Sequence, residues 1–301
     1  MAIIQKNKGF LIEIPRALTK NGGTVTIIGD ELEEPDWCEF ESVCAEYLLE
    51  FRNGQTKIPE EAFKYDRNLK SVLAPFVKTV DSSAFDSCNQ LESASFPEAT
   101  VINSNVFMSC ANLKSIKLEK LEHIGDNALS LCSALERITL PRTLSAIEDG
   151  FLFFGCMSLV SIEIENSGMF DICDSALYDK ERELLVRYPP ARSDSTFKCS
   201  AVEIAPGAFS DCNNLVEIIL PSVRRIGAFA FFPCENLRRL RVPNLEIEDD
   251  VQIGHLLNDT GINDCSRLEV IEISFRNPLF EKLEEEARIL GLKHKIFRPI
   301  G

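Results

Sequence analysis

The sequence predicts an α/β repeat solenoid. Short parallel β-strands should line one face, turns or 3-10 segments the other, and helical or mixed caps should close both ends. Two observations carry the prediction. The phrase Ala84-Phe85-Asp86-Ser87-Cys88-Asn89-Gln90-Leu91 returns around Phe107…Cys110…Leu113…Ile116, Leu129…Cys132…Leu135…Ile138, Phe153…Cys156…Leu159…Ile162, Phe209…Cys212…Leu215…Ile218, Phe231…Cys234…Leu237…Leu240 and Cys265…Leu268…Ile271. Its cysteines follow one another at 22, 22, 24, 56, 22 and 31 residues. A unit of that length cannot bury its apolar face alone, but it can do so against the unit before it.

Residues 1–57 form the front cap region. Trp37, Phe40, Cys44, Tyr47, Leu48 and Phe51 recur at helical steps, with Glu39, Glu41, Glu46 and Glu50 elsewhere. This predicts an amphipathic helix over 36–52, with Asp36 as N-cap and Asn53-Gly54 as its stop. Residues 9–30 are expected to add a hairpin through Asn21-Gly22-Gly23. Trp37 reads as an anchor of the cap.

The repeats occupy 58–275. Leu113-Lys114-Ser115-Ile116-Lys117-Leu118 is apolar at its first, fourth and sixth places, and the last two alternate as in a strand with one buried face. Pro141 and Pro221 stop the ladder after two of the strands, having no amide hydrogen to donate. Ile124-Gly125 and Ile226-Gly227 then return to the core, the glycine permitting a tight bend. A residue used once per coil forms a column with about 5 Å between members. The seven aligned cysteines therefore read as a packed column of small apolar thiols. Disulfides between coils are the rival reading, opposed by the odd total of 11 and by the lack of cysteine pairs within a coil.

The full phrase, Ala-Phe-x-x-Cys-x-x-Leu-x-x-Ile-x-Leu-Pro with Ile-Gly before the next Ala-Phe, resembles the BspA-like (Treponema pallidum-type) subfamily of leucine-rich repeats. The resemblance covers roughly 58–275, with Asp66 in place of the first cysteine and Glu119 in place of a proline. It extends to an odd region at about 166–205. There Ala176-Leu177-Tyr178 and Leu184-Leu185-Val186-Arg187-Tyr188-Pro189 resemble the family's leucine-tyrosine hairpin, with a polar turn at 179–182. The resemblance implies surface or host-interaction proteins of bacteria and unicellular eukaryotes.

An insertion at about 246–263 carries Glu248, Asp249, Asp250, His255, Asn258 and Asp259. Calcium could sit among such oxygens, yet the spacing matches no known loop, and a solvated insertion is expected. In 276–301, Asn277-Pro278 opens a capping helix, with Phe280, Leu283, Ala287 and Leu290 on one face and Gly291 at its end.

The charge of −15 disfavours phosphate backbones and anionic lipid, so neither nucleic acid nor membrane insertion is expected. No apolar run reaches the length of a span. The opening residues lack a leader's apolar core and cleavage site. A cytoplasmic home is expected, with the cell surface or secretion as the alternative if a leader was removed. Nucleophile-elbow, zincin, P-loop and dinucleotide motifs are all missing, and His123, His255 and His294 sit in different elements. The expectation is a non-enzymatic chain without metal or cofactor. Its role would be to bind a protein partner, or to serve as a scaffold within a larger assembly. A surface adhesin is one alternative; a small-ligand enzyme or sensor at the insertion is the other.

Outward strand positions supply the candidate site. One column runs Ser71, Ser93, Ser115, Arg137, Ser161, Glu217, Arg239, Val270. Its neighbour runs Leu73, Ser95, Lys117, Thr139, Glu163, Ile219, Arg241, Glu272. Lys117 and Arg137 are the cationic members early in these columns. Later, Arg238, Arg239 and Arg241 follow the partly apolar Val216–Ile219, with Arg224 and Arg225 in the bend between. Two readings stay open. The arginines either pair internally with Glu217 and its neighbours or form a partner-binding patch, arginine being suited to bidentate recognition of carboxylate or phosphate.

Overall fold

This computed structural model describes residues 2–7, 10–15, 23–28, 47–52, 56–148, 150–165, 168–246, 259–274, 276–277, 285 and 297–300. The chain divides into two compact units, Met1–Met169 and Phe170–Gly301.

In the first unit, one sheet opens with antiparallel strands Ala2–Asn7, Phe10–Pro15 and Gly23–Ile28. It continues in parallel through Tyr47–Arg52, Leu69–Leu73, Ser93–Ser95 and Ser115–Lys117. Arg137–Leu140 and Ser161–Ile164 form a separate parallel pair. The residues after each strand make a second parallel ladder: Lys57–Ile58, Thr79–Val80, Val101–Ile102, His123–Ile124 and Ala146–Ile147. The Ile-Gly segments, expected as bends, thus belong to a sheet of their own.

A third ladder is built from turns. Phe63, Phe85 and Phe107 donate their amides to Ala84, Val106 and Ala128 in the next coil at 2.8, 2.9 and 2.9 Å. Left-handed residues flank each Ala-Phe position, among them Ser83 (φ 58), Ser87 (φ 61), Asn105 (φ 59) and Ser109 (φ 60). The phenyl rings stack face to face, with Phe63–Phe85 centroids at 5.2 Å and Phe85–Phe107 at 5.5 Å.

The second unit repeats the plan after an antiparallel meander of Phe170–Cys173, Ala176–Asp179 and Leu184–Arg187. Its third strand leads in parallel to Glu203–Ile204 and Arg225–Ile226. Asp179 closes the tight turn, accepting the Arg182 amide at its carbonyl and the Leu184 amide at Oδ1. The other sheet orders Thr196–Lys198, Glu217–Ile219, Arg239–Arg241, Val270–Ser274 and Phe297–Ile300, all parallel. Within this unit Phe209 and Phe231 stack face to face, with centroids at 5.5 Å.

Each unit is therefore a parallel β-solenoid of leucine-rich coils, and the α/β expectation is corrected. Among the described residues the segments between strands are almost all turns, with 3-10 helices at Gly150–Phe153 and Ile262–Asp264 and single helical residues at Asp259 and Glu285. Hydrogen bonds to the next coil take the place of those within a helix. The amphipathic helix expected over 36–52 is also corrected at its end, since Tyr47–Arg52 is a strand. Tyr-Leu-Leu-Glu-Phe-Arg fits either period over six residues. Pairing with Gly23–Ile28 on one side and Leu69–Leu73 on the other satisfies its backbone as a strand. Residues 36–46 lie outside the described residues. Of the C-terminal helix only Glu285 is described, as helical, while Phe297–Ile300 in the tail is a strand.

Candidate functional site

The thiol column is internal. Cys88, Cys110, Cys132 and Cys156 are fully buried, as are Cys212 and Cys234. Each thiol donates to the carbonyl of the aromatic or leucine residue one coil back: Cys88 to Phe63 at 3.0 Å, Cys110 to Phe85 at 3.1 Å, Cys132 to Phe107 at 3.2 Å and Cys156 to Leu129 at 3.1 Å. Those carbonyls also accept an amide from their own coil, as Phe85 does from Cys88 at 3.2 Å. The cysteine thus fills apolar space and supplies the second donor of a shared carbonyl. The nine described cysteines are free. Burial pushes the thiols of Cys88, Cys110, Cys132 and Cys234 well up, and that of Cys212 up to about 12. These are poor nucleophiles. Where Asp66 replaces the thiol, its Oδ1 accepts the amides of Asn68 and Leu69 instead.

The outward columns are in register. In the first unit Ser71, Ser93 and Ser115 stand side by side, as do Leu73, Ser95 and Lys117. Beside the serines, Glu92 is clamped by Lys70 at 2.8 Å and Lys114 at 2.9 Å. These hydrogen bonds, Lys70 first, hold its carboxyl down at about 2. Lys117 is exposed at the end of its sheet, and Arg137 donates to the Ser161 hydroxyl at 3.3 Å from the neighbouring pair of strands. His123 is a strand residue with Nε2 2.8 Å from Glu148.

The five arginines do not form one cluster. Arg225 belongs to the sheet of the hairpin and pairs with Glu203, and Arg224 just before that strand pairs with Glu246. Arg239 and Arg241 belong to the other sheet, beside Glu217 and Ile219, and Arg238 immediately precedes their strand. There the rows are Thr196, Glu217, Arg239, Val270 and Lys198, Ile219, Arg241, Glu272. Arg239 lies 3.2 Å from Glu217 and 3.9 Å from Glu272; Arg241 lies 3.6 Å from Glu272, and Arg238 3.5 Å from Glu269. Every one of the five therefore has a carboxylate neighbour. Arg238, Arg239 and Arg241 are about half exposed, and their contacts are single and long, not bidentate forks. Glu217 and Ile219 are half-buried, and Val216 beside them is 37% exposed.

Two features were not among those read from the sequence: the start of both rows, and a buried cation in the hairpin. Thr196 and Lys198 extend both rows, but their strand, Thr-Phe-Lys, lacks the leucine phrase, and the hairpin before it breaks the count of 22. The second is a buried cation. Arg187 is fully buried, and its guanidinium donates to the Gly207 carbonyl, to Ser210 Oγ at 2.6 Å and to the Ser210 carbonyl at 3.1 Å. It ties the hairpin to the next coil, and its Nε has no hydrogen-bond partner among the described residues. Glu248, Asp249, Asp250, His255 and Asn258 of the insertion lie outside the described residues. Among those described, no three His, Cys, Asp or Glu gather as metal ligands.

Residues 50–182 and 193–253 match the model of the BspA type leucine-rich repeat region, in six copies. The chain belongs to this family. Three solved structures show the same fold. A leucine-rich repeat protein from Eubacterium ventriosum is 20% identical, with a TM-score of 0.72 over 90% of this chain and 72% of that one. A leucine rich cell surface protein from Faecalibacterium prausnitzii is 20% identical, with a TM-score of 0.59 over 100% and 96%. The pneumococcal vaccine antigen PcpA is 18% identical, with a TM-score of 0.54 over 90% and 82%. No curated protein matches the chain. In this BspA-type chain, no described helix is long and apolar enough to cross a membrane.

Proposed function

We propose that this BspA-type chain is a non-enzymatic interaction module that captures a protein partner, as a scaffold or a component of a larger assembly. The binding surface is the strand-lined face of the second unit. The observation that carries this reading is the pair of rows through Glu217–Arg239 and Ile219–Arg241. They set exposed guanidinium groups beside the exposed Val216, a mixture of arginine and apolar side chains that suits a protein interface. Free, buried thiols in each unit support a reducing compartment as its location. The likeness to a cell surface protein supports the other location, display outside the cell.

The test is affinity capture from a native lysate with the wild-type chain and with Arg239→Glu/Arg241→Glu. The new carboxylates would face Glu217 and Glu272, so the melting curve should fall somewhat, while the protein stays folded at the capture temperature and capture of the partner falls much further. Capture equal to wild type would remove this face from the function.

A further inference from the structure

We propose that the second unit's strand face takes an extended acidic segment of its partner, with the pattern acidic–x–apolar–x–acidic. Lys198 and Arg241 would receive the two carboxylates, and Ile219 the apolar side chain between them. This rests on the protein-binding reading above and names the chemistry of the partner.

The placement comes from one register row. Lys198, Ile219 and Arg241 are partners on three consecutive parallel strands. Neighbouring strands lie about 4.8 Å apart, so the two cations are anchored roughly 9.6 Å apart with an aliphatic residue midway. Lys198 is exposed and has no ion-pair partner among the described residues. Arg241 is 45% exposed, and among the described residues it meets a carboxylate through its Nε, Glu272 at 3.6 Å. The remaining donors of that fork are open for a bidentate contact.

A segment crossing these strands in extended form presents alternate residues to the face, about 6.8 Å apart. Its first, third and fifth side chains then span roughly 13.6 Å. Flexible lysine and arginine stems, splayed outward by about 2 Å each, match that span.

Charge also fixes the direction in which the segment extends. Beyond Arg241 in the same row stands Glu272, and Glu269 flanks Arg238, so further acidic residues are repelled on that side. On the other side Lys198 leaves the row open to a carboxylate. The net charge of −15 does not overrule this local pattern. At physiological ionic strength the screening length is about 8 Å, so charges beyond the immediate rows are largely masked.

The experiment is fluorescence anisotropy at about 0.15 M salt with labelled peptides carrying Glu-Ser-Leu-Ser-Glu, Gln-Ser-Leu-Ser-Gln, Glu-Ser-Ser-Ser-Glu or Lys-Ser-Leu-Ser-Lys, and with a short oligothymidylate. The full chain is titrated as wild type, Lys198→Gln and Arg241→Gln. The first peptide should bind, and each altered peptide should bind at least tenfold more weakly. Both neutral variants should lose tenfold or more for the first peptide without a change in melting. Equal binding of the glutamine peptide, no loss in Lys198→Gln, or a preference for the oligothymidylate would each overturn the proposal. No binding at millimolar peptide would do the same. If the peptides fail while Arg239→Glu/Arg241→Glu still abolishes partner capture, the acidic pattern falls and the protein-binding reading stands. If capture is also unaffected, both fall.

Discussion

Gly125→Ala should destabilise the first unit, because that glycine lies almost in contact with the backbone of the coil before it. A Cβ built on Gly125 would sit 2.6 Å from Ser104 N and 2.7 Å from Asn103 C. Comfortable contact for such atoms begins near 3.4 Å, so the new methyl group is roughly 0.7–0.8 Å too close. Its neighbours are backbone atoms, which cannot swing aside as a side chain would. The coils must part locally, stretching the bond from Gly125 N to Ile102 O, now 2.8 Å, towards the limit of useful length. Overpacking costs about 1–3 kcal/mol and a weakened bond about 1 kcal/mol, a total of about 2–4 kcal/mol. For a unit of this size that lowers Tm by roughly 5–15 °C. The tightness is local, since Asp81 and Asn103 occupy the equivalent place in earlier coils and carry side chains bonded to each other at 3.2 Å. Gly168→Ala is the control, as nothing lies within 4 Å of its added Cβ. Urea and thermal unfolding followed by far-UV circular dichroism provide the readout. A Gly125→Ala protein as stable as Gly168→Ala would refute the close approach of the coils.

Thiol chemistry should separate the column from the surface. With alkylating reagent near pH 8 (about a unit below the usual thiol range), native protein should react at the half-exposed Cys173 and leave Cys88, Cys110 and Cys132 unmodified. All 11 cysteines should react after unfolding. Peptide mapping checks this, and Cys110 reacting as fast as Cys173 in native protein would count against a buried column. Glu92 should titrate near 2 at low salt in a carboxyl-resolved NMR titration. Because its folded pKa is depressed, the clamp's contribution is present above about 4.5 and is lost as pH falls towards about 2. Its partners are exposed, so about 1 M salt should move the midpoint back up. A low-salt midpoint near 4.5 would show that Lys70 and Lys114 do not hold it.

The coil was legible because its apolar and cysteine positions obey one constraint, that each must meet its own equivalent in the next turn. The strand at Ser115–Lys117 and the inward Ile138 could therefore be read directly. The second ladder was not legible, because two-residue strands such as Val101–Ile102 are too short to carry an alternation. The glycines of Ile-Gly suggested bending, yet neither Gly125 nor Gly227 has positive φ; both serve proximity. Tyr47–Arg52 shows pairing overriding a helical pattern. At the candidate site, Glu217, Ile219, Arg239 and Arg241 could be placed by counting, since one uninterrupted repeat of 22 separates them. Lys198 could not, because the hairpin removes the count. Arg224 and Arg225 seemed adjacent to the other arginines only because sequence proximity hides the corner between two sheets.

The stacking of coils at a register of 22 residues is tested most directly by a cross-strand disulfide. Ser93 and Ser115 are register partners on adjacent parallel strands, and a separation of about 4.8 Å lies within disulfide range. In Ser93→Cys/Ser115→Cys, mild oxidation followed by peptide mass spectrometry should show the intramolecular 93–115 bridge. The control Ser93→Cys/Thr139→Cys, two coils apart, should not close. Absence of the first bridge, or equal yield of both, would contradict the stacking of coils at a register of 22 residues.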